Sequence, residues 1–267
     1  MCPVDPAADP AADPAADADA HGVIRRPIPR PPDNRPGSSA PWSVLPDERR
    51  RGLSLDRVRE ALDSELSLRP EPEAEPWPSL APVPGSRPAA VLVALFEEEG
   101  EGRVVLTVRS DQLRSHTGEV AFPGGRIEGG ESVVEAALRE ADEEVGLDPA
   151  TVTVIGQLTP RPTISSGALM TPVVATLAAR PQLRASPDEV ERIFDVALSE
   201  LAADGVFHEE WWSVPGRPGA PGLPTGTFPV WFFAVAGETV WGATARTLVE
   251  LICLVVGVPL PGSLRTG

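Results

Sequence analysis

The stretch from Gly125 to Leu147 constrains the fold of this chain more than any other part of the sequence. Ser132 and Glu135 have the spacing of a capping box, which predicts that a helix begins near Val133. Gly146 stands where a left-handed C-cap would end that helix. Apolar residues recur at helical spacing between the two ends: Val134, Ala137, Leu138, Ala141 and Val145. The sequence therefore predicts one amphipathic helix with a buried apolar stripe.

A different face of the same helix carries three glutamates, Glu140, Glu143 and Glu144, at spacings that bring them together. Like charges at these spacings repel each other by a few tenths of a kcal/mol per pair. A hard divalent cation such as Mg²⁺ would offset this repulsion, because it takes oxygen ligands and carboxylates in particular. A solvated acidic face would explain the same residues, and the helix alone leaves both interpretations open.

The whole stretch resembles the Nudix box, G-x5-E-x7-R-E-U-x-E-E-x-G-U. The fixed positions are occupied by Gly125, Glu131, Arg139, Glu140, Glu143, Glu144, Gly146 and Leu147. Ala141 stands where a larger aliphatic residue is commoner. The resemblance implies a loop-helix-loop that binds Mg²⁺ or Mn²⁺ and hydrolyses a diphosphate linked to another moiety. It also implies an α+β fold, the α/β/α sandwich with a mixed β-sheet.

The order of the other elements favours the same architecture. Six further segments are predicted as strands: 90–96, 103–109, 152–158, 170–177, 207–214 and 230–235. Residues 189–203 mix strand and short-helix signals, and residues 243–256 are predicted as a buried C-terminal helix. Strands and helices in this order predict a mixed sheet with helices on both faces.

The residues just before the box resemble the signature of the coenzyme A pyrophosphatase branch of this family, L-L-T-x-R-[SA]-x3-R-x3-G-x3-F-P-G-G. The matching residues are Thr107, Arg109, Ser110, Arg114, Gly118, Phe122, Pro123, Gly124 and Gly125, with Val105 in place of the first Leu. Segments 166–172 and 240–246 also resemble this branch. The resemblance spans about 89–256 and implies that coenzyme A or an acyl-CoA is cleaved to adenosine 3′,5′-bisphosphate and (acyl-)4′-phosphopantetheine.

The three box glutamates are the expected ligands of Mg²⁺ or Mn²⁺, and the resemblance adds the carbonyl group of Gly124. The metal would lower the pKa of a bound water molecule, and a carboxylate would accept its proton during attack on phosphorus. Glu140 and Glu143 are the candidate bases within the box. Glu189 is the candidate from a distant loop.

Arg139 is expected to orient the glutamates, either by i,i+4 pairing with Glu143 or by contacting Glu131. Arg109 and Arg114 carry planar guanidinium groups that suit phosphate oxygens, and more than one is useful for a substrate with several phosphates. A salt bridge at the end of a strand would equally explain Arg109.

His116 could donate to the same anion, although a lone loop histidine is also compatible with a structural hydrogen bond. Gly125 is a candidate substrate contact, because glycine lets the backbone approach a ligand closely.

Composition divides the chain into three regions. Residues 1–41 repeat Asp-Pro-Ala-Ala and then continue with Arg-Pro mixtures, and their small apolar content predicts a disordered tail. Residues 42–88 are predicted to hold a short helix that starts after Ser54 and docks on the domain, followed by a proline-rich linker. Residues 89–260 are predicted to form the catalytic domain.

The formal net charge of −16 argues against nucleic acid or an anionic membrane as a partner. The expected partner is a small nucleotide, drawn in by local positive charge. The oligomeric state stays open, a homodimer included. Two cysteines, with Cys2 in the tail and Cys253 in an apolar run, form no disulfide framework or zinc site and fit a reducing cytoplasm. No apolar segment follows Met1, so no signal peptide is expected.

Two other classes of function remain open. An ADP-ribose or NADH diphosphatase is the nearest alternative enzyme. Members of the NADH type carry a four-cysteine zinc site, which this chain lacks, whereas Pro162 lies near a proline typical of the ADP-ribose type. A non-catalytic ligand sensor on the same fold is the other alternative. Such proteins usually lose box glutamates, and here none is lost.

Overall fold

The computed structural model describes residues 28–68, 87–112, 118–163, 168–214 and 226–261. The strands are β1 (Arg35–Pro36), β2 (Arg87–Glu98), β3 (Glu101–Arg109), β4 (Val120–Ala121), β5 (Gly124–Arg126), β6 (Val152–Gln157), β7 (Arg161–Pro162), β8 (Ala168–Leu177), β9 (Val190–Ala197), β10 (Phe207–Val214), β11 (Gly226–Val235) and β12 (Glu238–Trp241). The helices are α1 (Leu55–Leu68), α2 (Val133–Val145), α3 (Leu198–Leu201) and α4 (Gly242–Val256). Each predicted strand and helix is present, with ends shifted by a few residues.

The strands form two sheets. In the larger sheet the order is β4-β3-β2-β8-β6, with β9 beside β3, β5 beside β2 and β7 beside β8. β2 and β8 are parallel, whereas β2 pairs antiparallel with both β3 and β5, so the sheet is mixed as predicted. The smaller sheet has the antiparallel order β1-β10-β11-β12.

The central strand β2 is covered on both faces, which explains why its sequence is an unbroken apolar run. Alternate residues Ala90, Leu92, Ala94 and Phe96 pack in one core with the buried residues of α2. The intervening Val91, Val93 and Leu95 pack in a second core with residues of α1, α4 and the smaller sheet. The sheet therefore lies between helical layers, and the predicted α/β/α sandwich is confirmed.

Helix α1 docks on this second core as predicted, with Leu55, Val58 and Leu62 buried. Its first turn receives a cap from outside the helix, because the Leu55 N–H donates to Oε2 of Glu97 at 2.9 Å. Glu97 belongs to the acidic β2–β3 hairpin, so one carboxylate of that turn stabilises the start of α1.

The predicted disordered tail differs from the structure over residues 28–41. Arg35–Pro36 pairs with β10, and the Ser38 N–H donates to Oε1 of Glu209 at 3.0 Å. Directly after this segment, the fully buried Trp42 packs against the rings of Phe207 and Phe233. Strand pairing and the buried Trp42 side chain offset the entropy lost when residues 28–41 become ordered. The average composition of the segment indicates neither contact. Residues 1–27 and 69–86 lie outside the described residues.

Helix α4 is buried along most of its length and ends at Gly257, whose φ of 75° is left-handed. Within the described residues, no helix combines the length and apolar character needed to cross a bilayer.

Candidate active site

Helix α2 begins and ends where the sequence predicts. The Glu135 N–H donates to Ser132 Oγ at 3.2 Å, and the Ser132 N–H donates to Glu135 Oε2 at 2.8 Å, which completes the capping box. Gly146 adopts a left-handed φ of 66°, and its N–H donates to the carbonyl groups of Ala141 and Asp142. These caps fix which residues of the helix face the sheet.

The three box glutamates differ strongly in exposure. The side chain of Glu143 is 59% exposed, that of Glu140 is 15% exposed, and that of Glu144 is 3% exposed. The expectation that all three share a face apart from the apolar stripe is therefore wrong for Glu144. Glu144 follows Ala141 by three residues and so continues the buried row of the helix toward the sheet.

Two glycines of β5 make room for these carboxylates. The Gly124 N–H donates to Glu144 Oε2 at 3.0 Å. A Cβ atom on Gly125 would lie closer than 3.0 Å to the Glu140 carboxylate, a separation that real Cβ atoms essentially never show. A Cβ atom on Gly124 would meet the backbone of β2 equally closely. Glycine is required at position 124, where a Cβ atom would meet backbone, whereas a Cβ atom at position 125 would force the Glu140 carboxylate to move.

Arg139 makes both of its expected contacts. Its guanidinium binds Glu131 in a bidentate manner, with Nε to Oε1 at 2.6 Å and Nη2 to Oε2 at 3.2 Å. Nη1 donates at 3.0 Å to Glu140 Oε1 and at 3.0 Å to Glu143 Oε2. Nη2 also donates to the carbonyl group of Arg126 at 3.0 Å. These bonds, led by those to Glu131, raise the pKa of Arg139, so it is a fixed cation that orients the cluster.

Arg109 lies beside Glu144, at the end of β3. Its Nη1 is 3.6 Å from Glu144 Oε1, so the salt bridge that the sequence left open is present. Its Nε is buried and has no hydrogen-bond partner within the described residues. A guanidinium with unused donors beside an acidic cluster is suited to binding a second anion.

Main-chain hydrogen bonds bring the loop before β9 to the same place. The Arg184 N–H donates to the Val145 carbonyl, and the Ser186 N–H donates to the Glu144 carbonyl, each at 2.8 Å. The Ser110 N–H donates to the carbonyl of Glu189, also at 2.8 Å. Glu189 is exposed and near enough that its charge contributes to raising the pKa of both Glu140 and Glu144.

Burial is the main electrostatic effect on the two inner glutamates. It raises the pKa of Glu144 to about 7, against the opposing effects of the Gly124 N–H and of Arg109. It also raises the pKa of Glu140, and there Arg139 acts in the opposite direction. For both carboxylates the effect of burial on the pKa therefore outweighs that of the neighbouring arginine.

The side chains fit a divalent cation in their chemistry. Within the described residues, no group of three acidic, histidine or cysteine side chains is arranged to hold a metal ion. Arg139 Nη1 instead bridges Glu140 and Glu143. Glu140 Oε2 and Glu143 Oε1 accept no hydrogen bond from any residue that the structure describes. The candidate metal ligands are all oxygen atoms. A hard cation would offset the mutual repulsion of the carboxylates and the free-energy cost of burying their charge.

Two predicted substrate contacts, Arg114 and His116, lie outside the described residues. Sequence reasoning missed the anchoring role of residues 184–186 and of the Arg126 carbonyl group. Both act through the main chain, so no residue type signals them. The burial of Glu144, in contrast, is signalled by its spacing from Ala141.

Comparisons with known proteins identify the family. The NUDIX domain family model matches residues 86–215. The chain is 36% identical over 209 residues to the uncharacterized Nudix hydrolase NudL of Shigella flexneri serotype 5b, covering 78% of this chain and 97% of that protein. It is 39% identical over 173 residues to NudL of Escherichia coli SMS-3-5, covering 64% of this chain and 84% of that protein.

Among solved structures, the chain is similar to RenU, a Nudix hydrolase from M. smegmatis. That match has 23% identity and a TM-score of 0.38, and it covers 43% of this chain and 73% of that chain. Nudix hydrolases generally use divalent metal ions and hydrolyse the diphosphate of nucleoside diphosphate derivatives. Because a relative at 36% identity is covered almost from end to end, this chain belongs to the Nudix hydrolase family and is a pyrophosphohydrolase.

Proposed function

We propose that this enzyme cleaves the diphosphate of coenzyme A or an acyl-CoA, yielding adenosine 3′,5′-bisphosphate and (acyl-)4′-phosphopantetheine. One observation carries the proposal. Arg109 comes from the segment that resembles the coenzyme A branch, Glu144 comes from the Nudix box, and their charged groups are 3.6 Å apart. Arg109, from the segment that indicates the substrate, therefore lies beside Glu144, from the box that indicates diphosphate hydrolysis.

The proposed mechanism assigns a role to each side chain. Glu140, Glu143 and Glu144 would hold Mg²⁺ or Mn²⁺, with the Gly124 carbonyl group as a further ligand. The cation, when bound, neutralises diphosphate charge and lowers the pKa of water. Arg139 holds Glu140 and Glu143 in place through Nη1. Arg109 binds phosphate oxygens, and Glu189 accepts the proton of the attacking water.

A product assay tests the substrate. Coenzyme A, ADP-ribose and NADH are each incubated with the enzyme and Mg²⁺ or Mn²⁺, and the products are separated by chromatography. Release of adenosine 3′,5′-bisphosphate from coenzyme A, without cleavage of the other two, supports the proposal. Preferential cleavage of ADP-ribose would assign the alternative enzyme class, and no turnover of any of the three would favour a ligand sensor.

The proposal also covers the domain bounds, the cellular compartment and the partners. We take residues 89–260 as the catalytic domain, with the segment 28–68 packed against it. We place the reaction in the cytoplasm because Cys253 is a free, buried thiol, as a reducing compartment favours. The substrate is a small nucleotide, and neither nucleic acid nor a membrane surface is a partner.

A further inference from the structure

The two carboxylate oxygens of Glu144 have different partners. Oε2 accepts the Gly124 N–H at 3.0 Å and is thereby committed to the backbone of β5. Oε1 faces Nη1 of Arg109 at 3.6 Å. Oε1 accepts no hydrogen bond from the described residues, so it is the oxygen with more lone-pair capacity for an additional cation. A metal ion and Arg109 would therefore compete for the same atom.

Arg109 is held much less firmly than Arg139. Each distance from the Arg139 guanidinium to an acceptor is between 2.6 and 3.2 Å, within the range of hydrogen bonds. The 3.6 Å separation between Arg109 and Glu144 is longer than a hydrogen bond, so the contact is ionic only. The side chains of Arg109 and Arg139 are equally exposed, at 26%, so the two residues differ in their bonding and not in their burial.

We infer that Arg109 is a displaceable counter-ion, which neutralises Glu144 until a divalent cation binds at Oε1 and then turns to the phosphate groups of the substrate. This inference rests on the proposed metal-dependent hydrolysis. Arg109 opposes metal binding when no nucleotide is present, because it is a competing positive charge. It favours nucleotide binding once the metal is in place, because its donors are then released.

Metal and nucleotide are consequently linked. Metal binding frees the guanidinium for the diphosphate, and a bound diphosphate removes the guanidinium from Glu144. By thermodynamic reciprocity, each ligand raises the affinity for the other by the same factor. A merely structural salt bridge predicts no such coupling.

The test uses full-length protein stripped of metal with EDTA and then dialysed. Mn²⁺ affinity is measured without nucleotide from the electron paramagnetic resonance signal of free Mn²⁺. Affinity for the non-hydrolysable adenosine 5′-(α,β-methylene)diphosphate is measured by calorimetry at saturating Mn²⁺. The variants are Arg109→Met, Arg109→Lys and the control Arg192→Met, whose exposed arginine pairs with Glu238 and not with a box glutamate.

Arg109→Met is expected to bind Mn²⁺ about fivefold tighter than the wild type, since the competing charge is gone. The same variant is expected to bind the nucleotide analogue about tenfold more weakly, since a charged donor is lost. Arg109→Lys keeps the charge and should retain Mn²⁺ affinity near that of the wild type. Arg192→Met should change neither affinity.

Equal or weaker Mn²⁺ binding by Arg109→Met, with a native circular dichroism spectrum, would overturn the inference. If that variant does not fold, Arg109→Gln is judged by the same two affinities. Absence of Mn²⁺ binding by the wild type would overturn both the inference and the metal-dependent function. Normal Mn²⁺ binding without coenzyme A cleavage would overturn only the substrate assignment, and the Mn²⁺ comparison would still decide the role of Arg109.

Discussion

Gly125 and the Glu140 carboxylate lie so close together that no side chain can stand between them. The strand residue thus determines where the helix carboxylate can lie. A side chain at position 125 would displace this carboxylate, although 15 positions separate the two residues in the sequence.

Gly125→Ala should therefore displace the Glu140 carboxylate and lower kcat/KM by about 10²-fold, the size expected for a misplacement of roughly 1 Å in an active site. The measurement is the initial rate on the nucleotide that the product assay identifies. Gly129→Ala is the matched control, because a Cβ atom at Gly129 meets nothing within 4 Å. Equal rates for both variants would show that the position of Glu140 is not set by this contact.

Glu143→Gln should abolish turnover, with a loss of at least about 10²-fold, and leave the folded state intact. The side chain is 59% exposed, so removing its charge costs little stability. Steady-state rates and a thermal melt check the two halves of the prediction. Asp142→Asn, an exposed neighbour on the same helix, should stay active. A Glu143→Gln enzyme with near-normal turnover would remove this residue from the mechanism.

Glu189→Gln should lower kcat by about 10²-fold or more while leaving Mn²⁺ affinity close to that of the wild type, as expected for a base that is not a ligand. The loop should keep its place, because it is fixed by main-chain bonds to α2 and β3. The adjacent Asp188→Asn is the control. A large fall in Mn²⁺ affinity would instead make Glu189 a metal ligand.

Trp42→Ala should lower the free energy of unfolding by about 3–5 kcal/mol, the usual cost of removing a buried aromatic side chain. Urea denaturation followed by circular dichroism measures it. Val44→Ala lies two residues away at an exposed position and should change stability by less than about 0.5 kcal/mol. Similar midpoints for the two variants would mean that the segment before α1 adds little to the folded unit.

Cys253 should be unreactive toward a thiol reagent at pH 8 in the native protein. Burial, with a smaller contribution from Glu250, raises the pKa of its thiol to about 12, so the nucleophilic thiolate is scarce at any lower pH. The measurement uses a Cys2→Ser background and Ellman's reagent before and after denaturation. Rapid labelling of the folded protein would show that the helix opens around this residue.

Local signals predicted helix α2 well, because its caps and its stripe are short-range features. Ser132, Glu135 and Gly146 each act on backbone groups a few residues away, so spacing alone identifies them. Helical spacing also grouped the three glutamates, but comparing them only with one another did not show that Glu144 faces the sheet. The spacing of Glu144 from the buried Ala141 does show it.

Contacts between distant segments were harder to predict. Nothing in the composition of residues 28–41 shows that Arg35–Pro36 pairs with a strand more than 170 residues later. Glu97 is the first of three consecutive glutamates, and nothing in that run shows that it caps α1. The position of Glu189 depends on main-chain donors of Arg184 and Ser186, which any residue except proline provides.

The main-chain bonds from Arg184 and Ser186 to the last turn of α2 have a consequence for how this enzyme tolerates change. They attach Glu189 to the end of the helix that also carries Glu140 and Glu144, downstream of the connection that runs from β8. The spacing between Glu189 and the helix glutamates is therefore set at these bonds. Because each bond uses only a main-chain N–H, any residue except proline at positions 184 and 186 would keep that spacing.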